Sequence, residues 1–204
     1  RDLHSFPTRR SSDLNRSIVK PKGIAAGVSY TQDSGTVRID AADEGVQAAF
    51  VNVGGGVLTV DSGDDAINAS NGDYTIEGYE SADSESDDGS VLTVSGGTVQ
   101  IDFAASDGVD SNGSAYVTGG QVLVVGAAGA MDGSVDANGD SQLVGVSGSL
   151  SVAAGDTITV TGTDGTSWSV TSVVSDSSLT VLGLTDGVTV RSEEHTSELQ
   201  SRTV

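Results

Sequence analysis

The sequence predicts an all-β protein, a right-handed parallel β-helix with rungs of about 21 residues and a C-terminal antiparallel β cap. Three observations predict it. A short motif recurs at fixed spacing, an alternating apolar segment follows each copy, and glycine pairs mark turns between units.

The stretches ADEGVQAA from Ala42, GDDAINAS from Gly63 and SDGVDSNG from Ser106 align. Glu44, Asp65 and Asp107 are separated by 21 and then 42 residues, as are Val46, Ile67 and Val109, and Gln47, Asn68 and Asp110. Gly129-Ala130-Met131-Asp132 is expected to continue the series after another 22. The second element reads GTVRID from Gly35, GVLTVD from Gly56, GTVQID from Gly97 and GQVLVV from Gly120. Within it Val37 and Ile39, Leu58 and Val60, Val99 and Ile101, and Val122 and Val124 share one face, the period of a half-buried strand. Glycine pairs such as Gly96-Gly97 and Gly119-Gly120 mark turns. One unit cannot bury its apolar face alone; units stacked at about 4.8 Å bury a continuous column. No sustained 3.6-residue pattern competes, and parallel crossovers have a fixed, right-handed sense.

Taken in chain order, residues 15–148 read as the β-helix. One rung is double length, its excess an acidic insertion at residues 71–90 that reads as a protruding loop, metal-ordered or solvated. Residues 149–190 alternate around turns at Gly155-Asp156, Asp164-Gly165 and Asp186-Gly187, as hairpins covering an otherwise sticky last rung would. Trp168 in that segment reads as a cap core residue or a sugar platform. Residues 1–14 and 191–204 differ in composition from everything between. Ser11-Ser12-Asp13-Leu14 and Arg191-Ser192-Glu193-Glu194 can be encoded by complementary strands of one DNA, and both ends resemble translated sequencing adapters. They are set aside from fold reasoning, with the native termini, any signal peptide and any neighbouring domain expected to lie outside this fragment.

Charge narrows the function. The formal net charge is -20, and the segment between Ile39 and Val190 holds 23 of the 29 acidic residues and no Lys, Arg or His. Such a surface repels nucleic acid and anionic membranes, and no apolar run is long enough for membrane insertion. It also lacks the residues of Ser-His-Asp, Cys-His and usual zinc chemistry, which leaves only a carboxylate pair for catalysis. The absence of Cys removes disulfides and thiol chemistry.

Stacking places Glu44 over Asp65 and Asp43 over Asp64, and aligns Asp40, Asp61 and Asp102 in a further ladder. Like charges one rung apart destabilise. Either solvation of exposed turns or a hard cation such as Ca2+, which takes six to eight oxygens, relieves that cost, and Asn68, Asp110 and Asn112 add suitable oxygens for a cation. Neither the EF-hand loop nor the glycine-rich calcium nonapeptide is present. Aromatics able to stack on a glycan are Tyr30, Phe50, Phe103 and Tyr116, with Tyr30 and Tyr116 the better candidates.

Asp107-Gly-Val-Asp-Ser-Asn-Gly, together with Lys22-Gly-Ile, Asp64-Asp-Ala-Ile-Asn and Ser95-Gly-Gly-Thr-Val, resembles the bacterial carbohydrate-binding β-helix domain over about Lys20 to Gly148. That resemblance implies a secreted or cell-surface, pectate-lyase-like β-helix without lyase activity. It implies Ca2+ binding and affinity for plant or cell-wall polysaccharide such as cellulose or polygalacturonate. Matched motif by motif, it implies Asp43, Glu44, Asp64, Asp65, Asp107 and Asp110 as Ca2+ ligands. The chain departs from the pattern at Gln47 and Asn68, where an acid or His is commoner, and at Ala66, which replaces Gly. The expected function is non-catalytic, calcium-dependent polysaccharide binding by a monomer. The competing readings are an adhesin or spacer solenoid and a carboxylate-pair glycoside hydrolase acting on pectin.

Overall fold

The computed structural model describes residues 21–72, 74–79, 86–103, 106–125, 134–172, 175–183, 188–192, 196–199 and 202–203. Among them every regular element is a strand. The chain winds through five stacked rungs. The first holds β1 (Lys22–Ala25), β2 (Ser29–Gln32) and β3 (Thr36–Ala42); the second holds β4 (Glu44–Ala48), β5 (Phe50–Val53) and β6 (Val57–Ser62). In the third, β7 (Ile67–Ala69) is followed by one long strand, β8 (Val91–Phe103). The fourth has β9 (Val109–Ser111) and β10 (Ser114–Val125), and the fifth β11 (Val135–Ala137) and β12 (Ser141–Val152). The first face is a parallel sheet in the order β1-β4-β7-β9-β11. The second runs β2-β5-β8-β10-β12 through the first halves of the long strands. The third runs β3-β6-β8-β10 through their later halves.

The corner between the second and third faces is made by glycine. Gly35, Gly56, Gly97 and Gly120 repeat at φ 82°, 81°, 78° and 82°, a left-handed conformation that side chains resist. A Cβ on Gly97 would also lie 2.7 Å from the Gly56 carbonyl oxygen one rung away. This corner is the physical content of the recurring Gly-Gly pairs.

The expected apolar columns exist in register. Val37, Leu58, Val99 and Val122 stack, and Ile39, Val60, Ile101 and Val124 stack two residues on. Val46, Ile67, Val109 and Val135 do the same on the first face. Leu58, Val60, Ile67, Val99 and Ile101 are fully buried in one continuous core, each worth about 1.5–3 kcal/mol against exposure.

The long insertion leaves the solenoid between the first two faces of the third rung, where the sequence places it. Its neck is closed by Asp88, buried at 1% exposure. The Asp88 carboxylate accepts from the Asn71 and Ser90 backbone N–H groups at 2.7 and 2.8 Å, and Ser90 Oγ donates to the Ala69 carbonyl at 2.7 Å. The edge of Tyr74 meets Phe50 with centroids 6.2 Å apart, so the start of the insertion folds back on the second face.

The C-terminal segment is antiparallel but is not simply a lid on the last rung. β12 runs unbroken across residue 148, parallel to β10 at Ala115–Val117 and then antiparallel to β15 (Asp176–Leu182). β15 also pairs antiparallel with the later half of β10 and so ends the third face. A separate sheet in the order β14-β13-β16-β17 is built from β13 (Thr157–Gly162), β14 (Ser167–Thr171), β16 (Val188–Arg191) and β17 (Thr196–Leu199). β18 (Arg202–Thr203) lies beside β12. β17 and β18, within the 191–204 end, are thus edge strands, and residues 1–14 lie outside the described residues.

The separate sheet packs on the outer side of the third face. Along that side the register reads Arg38, Thr59, Gln100, Leu123. Leu123 and Val125 join Ile158, Val160, Leu150, Leu179 and Val181 in a second core. Gln100 Nε2 donates to the Thr171 carbonyl at 2.7 Å, tying β14 to the solenoid. The run Val122–Val125 is therefore apolar on both faces because both are covered.

Candidate metal centre

The turn before the first face and the start of that face carry the acidic motif. Backbone bonds stack Asp64 on Asp43 (Asp64 N to Asp43 O, 2.8 Å), and the Ala66 N–H donates to the Asp107 carbonyl at 3.0 Å, which sets Asp65 beside Asp107 as the repeat predicts. Inside the face the register is Gln47, Asn68, Asp110, Asp136. The fourth member is Asp136, not Asp132. The step from the fourth to the fifth rung spans 26 residues instead of 22, because Val109 pairs with Val135. The signal was present: Ser134-Val-Asp-Ala-Asn-Gly repeats Gly108-Val-Asp-Ser-Asn-Gly.

Asp107, Asp110 and Asp136 converge, each offering one carboxylate oxygen within 4.8 Å of the others. Asp107 and Asp110 are buried and Asp136 is half-buried. Gly108 permits the close approach of the two rungs, since a Cβ there would lie 2.9 Å from the Ser134 carbonyl oxygen. Asp136 is oriented by the Ala137 N–H, which donates to its Oδ1 at 2.9 Å.

The other predicted ligands have different surroundings. Lys22, on the first rung, meets Glu44 at 2.6 Å and also contacts the Gln47 amide oxygen. Arg38 pairs with Asp40 at 2.7 Å; that hydrogen bond raises the Arg38 pKa, and Asp61 and Asp102 add to the same field. Glu44 and Asp40 therefore do meet a base, supplied from the first rung, and a β-bulge sets Asp61 opposite Phe103, so the expected stacking of Asp61 on Asp102 is broken. Asp65 acts as a turn cap: its Oδ1 accepts from the Asp107 N–H and its Oδ2 from Asn68 Nδ2, both at 3.0 Å. Asp43 and Asp64 stack one rung apart in the turn above. None of the carboxylates Asp43, Glu44, Asp64 and Asp65 belongs to the three-carboxylate group.

The donor set fits a hard cation. Three carboxylates at this spacing repel by about 3 kcal/mol per ionised pair at an effective dielectric near 20. Two oxygens on opposite sides of one Ca2+ stand roughly 4.6–5.2 Å apart, which accommodates the observed separation. An independent sign is Asn68, the register neighbour of Asp110. It is 8% exposed and its Oδ1 is buried without a hydrogen-bond partner among the described residues. A buried amide oxygen in that condition costs about 1–3 kcal/mol unless something meets it.

Of the aromatic candidates, Tyr30 is half-buried against the main core and donates its hydroxyl to Gln32 Oε1 at 2.6 Å; burial raises its pKa. Tyr116 sits on the outer side of the second face, in register with Thr93 and Gln142. The Phe103 side chain lies outside the described residues. No helix among the described residues is long and apolar enough to cross a membrane. Comparison with protein-family profiles, with curated proteins and with solved structures finds no match.

Proposed function

We propose that the chain is a non-catalytic, calcium-dependent polysaccharide-binding module of a secreted bacterial protein, monomeric, for glycans of the cellulose or polygalacturonate type. The observation that carries the reading is the convergence of Asp107, Asp110 and Asp136 beside the unpartnered Asn68 oxygen. Asp107 and Asp110 would hold the ion from the fourth rung and Asp136 from the fifth. Bound calcium supplies positive charge that neutralises the three carboxylates and can attract a uronate. The residues themselves position the rungs: the Asp65 cap holds the Asp107 turn of the fourth rung against the third, and the Gly108 approach sets β9 against β11. The outer side of the second face offers a ladder of hydroxyl and amide groups, Thr31, Asn52, Thr93, Tyr116 and Gln142, at a rung repeat of about 4.8 Å. Such a ladder suits the hydroxyls of an extended glycan.

A pulldown on cellulose and on polygalacturonate, with Ca2+ or with EGTA, tests the reading. Retention in Ca2+ and loss in EGTA is expected. No retention on either polysaccharide in both conditions overturns it and leaves the spacer reading. Release of reducing ends from polygalacturonate, abolished by Asp107→Asn or Asp110→Asn, overturns the non-catalytic part.

A further inference from the structure

Where the hairpin of β13 and β14 passes the glycine corner, it leaves an open groove of about 500 Å³, inside the usual range of about 300–1,000 Å³ for small-ligand sites. It is lined on the solenoid side by Gly97, Gly120, Thr98 and Gln121, and on the hairpin side by Asp164 and Trp168 among others. The corner glycines carry no side chains, so that wall is bare backbone and a flat ring can approach it closely.

Trp168 is the chain's one tryptophan. It stands opposite Val160 in the hairpin register, packs against the second core, and still lines the groove while half-buried. An indole anchored in that way is a rigid stacking surface. Gln121 is aimed by its neighbour: Thr98 Oγ1 donates to Gln121 Oε1 at 3.1 Å, which commits the amide oxygen and leaves the amide nitrogen as donor. Asp164 is held by Thr166, whose N–H and Oγ1 each donate to one carboxylate oxygen at 2.9 Å. Among the described residues no base lines the groove. An ionised carboxylate without a cation beside it repels uronates, sulfates and phosphates and accepts from neutral hydroxyls.

We propose that this groove is a binding subsite for a neutral hexopyranose unit of a glucan. The indole of Trp168 stacks on the C–H face of the ring, Gln121 Nε2 donates to one hydroxyl, and Asp164 accepts from others. The inference rests on the polysaccharide-binding reading and deepens it: it selects a neutral glucan over a polyuronate for this end of the molecule and places the contact on the cap, apart from Asp107, Asp110 and Asp136.

The single tryptophan makes the test direct. Titration with cellopentaose in calcium buffer is expected to give a saturable change in Trp168 emission, and an oligogalacturonate of similar length none. Gln121→Ala and Asp164→Ala are each expected to weaken cellopentaose about tenfold; both positions line an open groove, so folding is preserved. Trp168→Ala is expected to lose retention on cellulose. Flat emission, with cellulose still retaining wild type and Trp168→Ala alike, overturns the groove and leaves the polysaccharide reading standing. Flat emission with no glycan retained by wild type overturns both. Emission that responds equally to the oligogalacturonate overturns the choice of a neutral unit.

Discussion

Asp110 and Asp136 are direct register partners on adjacent parallel strands, and their carboxylates close to within 4.8 Å of each other and of Asp107. Two acids so placed destabilise the fold unless a cation joins them, so stability should depend on calcium. Saturation to a hundred times Kd adds about 2.7 kcal/mol, which for a chain of this size raises Tm by roughly 5–10 °C. Asp110→Asn and Asp136→Asn should each remove most of that rise while leaving Tm in EGTA unchanged or slightly higher. Glu44→Gln, at a carboxylate already met by Lys22, should leave the calcium response intact. Thermal unfolding of the four proteins with CaCl2 and with EGTA decides it; a full calcium response in Asp136→Asn rules the site out.

The insertion is held at its neck by one buried carboxylate. Asp88→Ala removes the acceptor for the Asn71 and Ser90 N–H groups, which burial cuts off from water. Hydrogen bonds to a charged group are worth about 1.5–3 kcal/mol each, and a buried donor left bare costs a similar amount. Loss of about 2–4 kcal/mol in urea-induced unfolding is expected. Asp87→Ala at the next residue, whose bond to the Gly89 N–H is solvent-exposed, should change stability by less than about 1 kcal/mol. Equal effects at the two positions would remove Asp88 as the clamp.

The solenoid was legible because its determinants are local and repeated. The columns through Val37 and Ile39 need only period-2 alternation and constant spacing, and they appear in the register the spacing implies. The site was half legible. Asp107 and Asp110 belong to the repeat, but Asp136 follows a step lengthened to 26 residues, and a constant period points instead at Asp132. Lys22 is remote from Glu44 in sequence, so its place on that ladder becomes visible only once the first rung is stacked, whereas Arg38 meets Asp40 two residues away. The cap was legible as antiparallel strands. Its position against the outer side of the third face depends on Leu123 and Val125 standing where earlier rungs carry polar side chains, a contrast that matters only when the rungs are compared in register.

Glycine at the corner should be irreplaceable where the rungs touch. Gly97→Ala forces a side chain into φ 78° and within 2.7 Å of the Gly56 carbonyl oxygen. Backbone strain of this kind costs about 1–3 kcal/mol, and displacing the neighbouring rung adds to it. Gly72→Ala, at φ 51° with nothing within 4 Å, carries only the conformational part. Urea unfolding should place Gly97→Ala clearly below Gly72→Ala; the reverse order would mean that the stacked corner does not constrain the rungs.

The docking of the separate sheet should depend on Leu123. Replacing it with Thr, the residue its register line carries at Thr59, keeps the strand and removes the apolar contact to Ile158 and Val160. Truncations of this size in a core cost about 2–5 kcal/mol. Because Trp168 packs on the same core, its emission should shift to the red as the sheet loosens, while the far-ultraviolet β signal of the solenoid persists. An unshifted emission maximum in Leu123→Thr argues that the hairpin is held by something other than this core.

Asp164 sets the pH dependence of the groove. The Thr166 N–H, with its hydroxyl second, lowers the Asp164 pKa below the ordinary aspartate value of about 3.9. A sugar contact that needs the ionised carboxylate is complete well above the pKa of the folded, ligand-free protein and disappears as pH falls through it. Cellopentaose affinity should therefore be flat from about pH 7 to about pH 5 and decline only below about pH 4. Thr166→Val removes the hydroxyl donor while keeping the backbone N–H, so the acid limb should move upward with the plateau unchanged. Fluorescence titrations at a series of pH values measure both limbs. A plateau that already breaks near pH 6 would exclude Asp164 as the acceptor of the sugar hydroxyls, because its carboxyl is still fully ionised there.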